Sequence, residues 1–175
     1  MGRLEPLPQI KYKNDQEMIE RSKKLTQFVS LRKAFIDASS INYARKAGFL
    51  ETLQAALPLC TIPEILEEVG IEAGKIEIIQ CIQPTLTNDA RLVLCAIDRQ
   101  LPLISEDKQI LMRMKRANLP YYNALMMLNW LLFNRNIDQE DYARYYSKLR
   151  EIARYSEQIW KYGEKIHTWI LLKFE

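Results

Sequence analysis

The residues of this sequence best suited to chemistry are carboxylates, and four of them recur at matching places in apolar segments: Asp37, Glu68, Asp89 and Asp107. Asp37 ends the run Ala34-Phe35-Ile36, which reads as a buried strand. A carboxylate taken out of water there is costly unless something pairs with it. Asp107, in ISED, follows a second apolar run, and the residues three, four and seven further on are Ile110, Leu111 and Met114. Asp107 therefore starts the inward stripe of the next helix. Asp89, in TND, repeats the pattern with Leu92, Val93 and Ala96, whereas Asp98 falls about half a turn away, toward solvent. In PEILEEVG, Ile65, Leu66 and Val69 form the apolar arc. Glu68 borders that arc and reads as the inward carboxylate, with Glu64 one turn before it as a helper. Helix capping accounts for either aspartate alone. Two in matching phase beside a third at a strand end favour a shared site.

Carboxylates gathered in one place repel and raise one another's pKa values, a penalty that divalent cations remove. Hard oxygen donors with few nitrogen or sulfur alternatives suit Mg2+ or Mn2+. The single histidine, His167, lies far along the chain in a Trp-containing helix and reads as a packed or surface residue, which disfavours a His-based zinc site. The five glycines form no phosphate-binding loop of the G-x-G-x-x-G or G-x-x-x-x-G-K-[ST] type. A receiver-like phosphoacceptor needs an aspartate ending its third strand and a lysine ending its fifth, but those ends read QCIQ and LPYY. A dehalogenase-like phosphatase needs D-x-D, and Asp37 is followed by Ala38 and Ser39.

The elements that must position these acids alternate. A capped amphipathic helix is expected over residues 14–31, with Met18, Ile19, Leu25, Phe28 and Val29 inward. Strands are expected over 33–38, in LPLCTI, over 75–82, at 101–104 and near LPYY. Helices fall between them, and Gly48 is a break within 41–57. From Asn123 onward the chain reads as helices, interrupted at FNRNID and at Gly163. Such alternation predicts an α/β protein with a mostly parallel sheet of about five strands covered on both faces. Residues 33–137 form the expected core, with helical additions at 1–32 and 138–175.

The chain of 175 residues is 48% hydrophobic, long enough for one well-cored domain with a peripheral extension. Its net charge of +3 permits a polyanionic partner without requiring one. Cys60, Cys81 and Cys95 lie in apolar runs with no C-x-x-C pair, so buried, reduced thiols and a cytoplasmic location are expected. No apolar stretch is long enough to span a bilayer, and the N-terminus lacks a signal-peptide core.

The segments FIDASS, TIPEILEEV, TNDARLVLCAI and LISEDKQIL, in that order, resemble the PIN domain family of metal-dependent nucleases. The segment YNALMMLNWLLFNRNIDQEDYARYYSKL is similar to the closing helices of many prokaryotic members, so the resemblance covers about residues 33–150. It implies a three-layer α/β/α fold, one or two Mg2+ or Mn2+ ions, and hydrolysis of RNA phosphodiesters. Asp37, Glu68, Asp89 and Asp107 would then be the metal ligands. Ser39 and Ser105 would hydrogen-bond a ligand or a metal-bound water. The same fold with a degenerate site, serving as an RNA- or protein-binding scaffold, is the alternative.

Basic residues should flank such a pocket to hold phosphates. Arg45, Lys46, Lys108, Arg113, Lys115 and Arg116 are the candidates for contact with RNA. The aromatics mixed with cations between Asp141 and Lys165 read mainly as core or subunit contacts, with the charges as a solvated face. An apolar stripe left exposed on either terminal helix would favour a homodimer or an antitoxin-like protein inhibitor.

Overall fold

The computed structural model describes residues 9–72, 74–82 and 87–174. The chain divides into two compact units, Met1–Ser30 and Leu31–Glu175. The first contributes helix α1 (Gln9–Ser30). Its apolar residues do not all turn inward as expected: Phe28 is buried and Leu25 half-buried, but Met18, Ile19 and Val29 are exposed. Met18, Leu25 and Val29 share one arc, while Phe28 lies about a quarter turn round. Burial is centred on that second side, which also carries the half-buried Arg21 and Lys24.

The second unit is a three-layer α/β/α fold around an all-parallel sheet in the order β3-β2-β1-β4-β5. The strands are β1 (Ala34–Ile36), β2 (Leu59–Thr61), β3 (Glu77–Ile78), β4 (Leu103–Ile104) and β5 (Tyr121–Tyr122). Helices α2 (Ala38–Ala47) and α3 (Leu50–Ala56) follow β1, α4 (Pro63–Val69) follows β2, α5 (Asn88–Asp98) follows β3, and α6 (Lys108–Arg116) follows β4. The chain steps outward from β1 to β3, then returns to the other flank of β1 for β4 and β5. Right-handed crossovers then set α2, α3 and α4 on one face and α5 and α6 on the other. Accordingly α2 packs on α4, and α5 on α6.

Helices α7 (Ala124–Phe133), α8 (Gln139–Ile152) and α9 (Glu157–Lys173) complete the unit. Every residue of α7 is buried. It touches α2, α8 and α9, so the C-terminal helices belong to the core and are not an appendage.

Local chemistry explains most boundaries. Asp37, Thr87, Asp107, Asn123, Asp138 and Ser156 each accept a backbone N–H in the first turn of the helix they precede. Gly48, at φ 95°, ends α2 in the left-handed conformation that a side chain would strain. Both β1 and β2 are buried along their whole length, as strands inside a doubly covered sheet must be. The strand expected over 75–82 pairs only at Glu77–Ile78, because β3 is an edge with β2 as its single neighbour.

Two further expectations are corrected. Gly163 does not interrupt a helix. It lies within α9 and is buried against α7, where a Cβ would come 2.5 Å from Leu125 Cδ2. The glycine is there for close approach, and the break falls instead at residues 153–156. Nor are all the cysteines reduced: Cys81 and Cys95 form a disulfide joining the segment after β3 to α5, and Cys60 is free and buried. The parallel crossover brings two apolar runs together that the sequence keeps 14 residues apart. Among the described residues, no helix is long and apolar enough to cross a membrane.

Candidate active site

The order of strands reverses between β1 and β4. In an open parallel sheet, the crevice outside the carboxyl ends of two such strands is where ligands bind. Asp37 follows β1 directly, and its N–H donates to the Ile104 carbonyl at 3.0 Å, which brings it level with Ser105 at the end of β4. The residue is 3% exposed. One oxygen, Oδ1, caps α2 by accepting the Ser40 N–H at 2.8 Å. The other, Oδ2, accepts the Ser105 hydroxyl at 2.5 Å and the Ser39 hydroxyl at 3.2 Å. These bonds favour the charged form, yet burial outweighs them and pushes the Asp37 pKa up. A cap needs only one oxygen at a helix end. The buried second oxygen is an expense that capping does not explain.

Glu106 is the functional candidate that sequence reasoning did not select. Its Oε1 accepts the Ser40 hydroxyl at 3.0 Å and the Ala124 N–H at 2.7 Å, and its Oε2 accepts the Tyr155 hydroxyl at 2.5 Å. Burial, with a smaller contribution from the Asp37 charge, raises its pKa from 4.5 to about 7. Ser40 joins the two acids, its N–H on Asp37 and its hydroxyl on Glu106. No local signal marks Glu106, whose side-chain partners lie 66 and 49 residues away.

Asp107 reaches the same edge in a different role from the one expected. It is exposed, and its Oδ1 caps α6 by accepting the N–H groups of Gln109 at 2.7 Å and Ile110 at 3.4 Å. Its own N–H donates to Ser105 Oγ at 3.0 Å, so Ser105 links Asp107 to Asp37. Ile110 and Met114 do face inward, but the acid one turn earlier lies past the helix end and folds back onto it.

Asp89 is likewise exposed on the first turn of α5, although Leu92, Val93 and Ala96 are buried as its phase predicts. Glu68 is exposed too, toward the far end of α4. Glu64, in the first turn of α4, stands about 6 Å nearer the strand ends than Glu68 along the helix axis. It is half-buried and pairs with Arg91 Nη1 at 2.6 Å, and Arg91 Nη2 donates to Asn88 Oδ1 at 3.0 Å. Thr61 Oγ1 ties this flank to β1 by donating to the Ile36 carbonyl at 2.8 Å.

The acids thus form two groups, Asp37 with Glu106 and Asp107, and Glu64 with the first turn of α5. Among the described residues, no group of three or more His, Cys, Asp or Glu side chains is placed to hold a metal ion. Of the basic candidates, only Lys108 lies beside the crevice, next to Asp107. Arg45 and Lys46 occupy the last turn of α2, and Arg113, Lys115 and Arg116 that of α6. There they sit about 12 Å along their helices from the site and complement the helix dipole. His167 is packed as expected, stacked on Tyr142 with ring centroids 4.3 Å apart.

A cavity of about 410 Å³ is lined by Gln80, the Cys81–Cys95 bridge, Arg91 and Arg99. No family model, curated protein or solved structure matches the chain.

Proposed function

We propose that the protein is a Mg2+- or Mn2+-dependent endoribonuclease of the PIN type, acting on RNA in the cytoplasm. The observation that carries this reading is Asp37. It is a nearly inaccessible carboxylate at the strand-order reversal, held by two serine hydroxyls and a backbone N–H and raised in pKa when no cation accompanies it. A structure that keeps such a costly group at a binding crevice has a use for its charge.

The donor set fits a hard cation. Mg2+ is commonly held by one or two carboxylates, with water and substrate phosphate completing its shell. Asp37 and Asp107 would supply that pair, and Glu64, one turn nearer the strand ends than Glu68, is a further candidate. The chemistry a bound cation contributes is activation of water at neutral pH and neutralisation of phosphate charge. Ser105 and Ser39 orient the Asp37 carboxylate, and Lys108 can engage a phosphate oxygen of the incoming strand.

A second reading, a non-catalytic RNA- or protein-binding module, is favoured by two observations: no three of the described acids are placed to hold a metal ion, and Arg91 already neutralises Glu64. Asp37→Asn separates the two. A nuclease loses Mn2+-stimulated cleavage of RNA in this variant, with an unchanged circular dichroism spectrum, and chelator abolishes the wild-type activity. Full cleavage by Asp37→Asn overturns the proposal. RNA binding without cleavage or Mn2+ affinity in the wild type supports the scaffold.

A further inference from the structure

The α8–α9 connection contributes a side chain to this edge that the reading above does not use. Tyr155 lies in the non-helical residues 153–156, with its ring edge-on to Tyr43 at 5.9 Å and to Trp160 at 5.0 Å. Those contacts place the ring, but they leave its hydroxyl free to be anything, including absent. Instead the hydroxyl donates to Glu106 Oε2. Both residues are half-buried, and holding a carboxylate and a phenol partly out of water is a poor way to gain stability, since an apolar pair of similar volume avoids both desolvation costs. The arrangement needs a reason beyond packing.

Three protein donors, the Ser40 hydroxyl, the Ala124 N–H and the Tyr155 hydroxyl, bind the two oxygens of Glu106. What it does is hold four segments in register: the first turn of α2, the first turn of α7, the β4–α6 connection and the α8–α9 connection. The decisive link is Ser40, because the residue whose hydroxyl answers to Glu106 also donates its N–H to Asp37 Oδ1. A shift in Glu106 turns Ser40, and with it the cap that orients Asp37.

We infer that Tyr155 is a positioning residue for Asp37, acting through Glu106 and Ser40, so that the C-terminal helices set the geometry of the candidate site from 118 residues away in sequence. This rests on the reading of Asp37 as the cation-binding carboxylate. Groups that orient ligands in this way typically contribute ten- to a hundredfold to metal affinity.

The test compares wild type, Tyr155→Phe, Glu106→Ala and Glu106→Gln by calorimetric titration with Mn2+ and by amide hydrogen exchange at Ser40. Tyr155→Phe keeps the ring packing and is expected to weaken Mn2+ binding roughly tenfold and to speed Ser40 exchange relative to Val93, a buried residue remote from the network. Glu106→Ala should do the same or more. Glu106→Gln should restore both, because its amide can accept from Ser40 and Ala124 while donating to the Tyr155 oxygen. Unchanged Mn2+ affinity in Tyr155→Phe and Glu106→Ala overturns the inference while leaving the nuclease reading intact. If wild type binds no Mn2+, the nuclease reading fails by itself, and Ser40 exchange decides the positioning role: faster in Tyr155→Phe supports it, unchanged overturns it.

Discussion

Ser105 donates its hydroxyl to Asp37 Oδ2 at 2.5 Å while the same oxygen accepts the Asp107 N–H at 3.0 Å. One fully buried serine therefore fixes the distance between the two acids that meet at the strand-order reversal. Ser105→Ala leaves the Asp107 N–H, in a part-buried bond, without its Ser105 partner and strips Asp37 Oδ2 to its longer bond with Ser39. The expected cost is about 1–3 kcal/mol of stability, read by urea unfolding. A loss of about tenfold or more in Mn2+ affinity should accompany it. Ser105→Thr, which keeps the hydroxyl, should retain most of both.

Burial raises Glu106 from 4.5 to about 7 and moves Asp37 in the same direction. In the unfolded chain both carboxyls ionise near their ordinary values. Over the interval from about 4.5 to about 7 the folded protein thus retains protons that the unfolded chain has released. The stability attached to Glu106 is complete below the lower limit and is lost as pH rises through the upper one. Metal-free protein should have a lower urea midpoint near pH 8 than near pH 5, and Glu106→Gln should flatten that slope. Comparing the two proteins removes contributions from other acids such as Glu77, which Lys33 holds below its usual value. Mn2+ affinity should rise with pH, because the cation binds the ionised form of Asp37, whose pKa burial raises.

What the sequence made legible was one-dimensional periodicity interrupted by the wrong kind of residue. Asp37 could be found because a charge closes an apolar strand, and the positions of β1, β4 and their following helices came with it. Glu68 was preferred to Glu64 because a helical wheel reports direction around the axis but not height along it. Glu64 is one turn closer to the sheet edge. Asp89 and Asp107 had the expected phase, but residues in the cap and first turn can bend past the helix end. Glu106 was invisible for a different reason: its environment is made by Ser40, Ala124 and Tyr155, which converge only when four connections meet.

The Cys81–Cys95 disulfide closes a loop across a sequence separation of 14 residues that includes the first turn of α5. Loop-closure entropy for this length predicts a loss of about 3 kcal/mol on reduction. A dithiol reductant should lower the urea midpoint accordingly, and Cys81→Ser should match the reduced wild type and no longer respond to reductant. Thiol titration of the oxidised folded protein should be slow, since burial pushes the Cys60 thiol up to about 12. Protein quenched with a thiol-blocking reagent directly from cells would show whether the bridge is closed where the protein works. Cys81 and Cys95 fully alkylated would place it in a reducing compartment.

Gly163 packs α9 onto α7 at a distance that admits no side chain. A Cβ there would lie 2.5 Å from Leu125 Cδ2 and 2.9 Å from its Cγ, and Leu125 is fully buried. Alanine should favour the helix by about 1 kcal/mol through backbone entropy alone. Overpacking opposes it, because Leu125 must leave its rotamer or the helices must separate, at about 1–3 kcal/mol. Separation would also stretch the bond from Asn129 Nδ2 to the Gly163 carbonyl, already 3.4 Å long. The clash should win, so Gly163→Ala is expected to lower the thermal midpoint. Lys161→Ala, at an exposed position of the same helix, should leave it unchanged or slightly raised. An increase in Gly163→Ala equal to that control would mean that α9 has room to spare, and that the glycine reflects neither close packing nor a helix break.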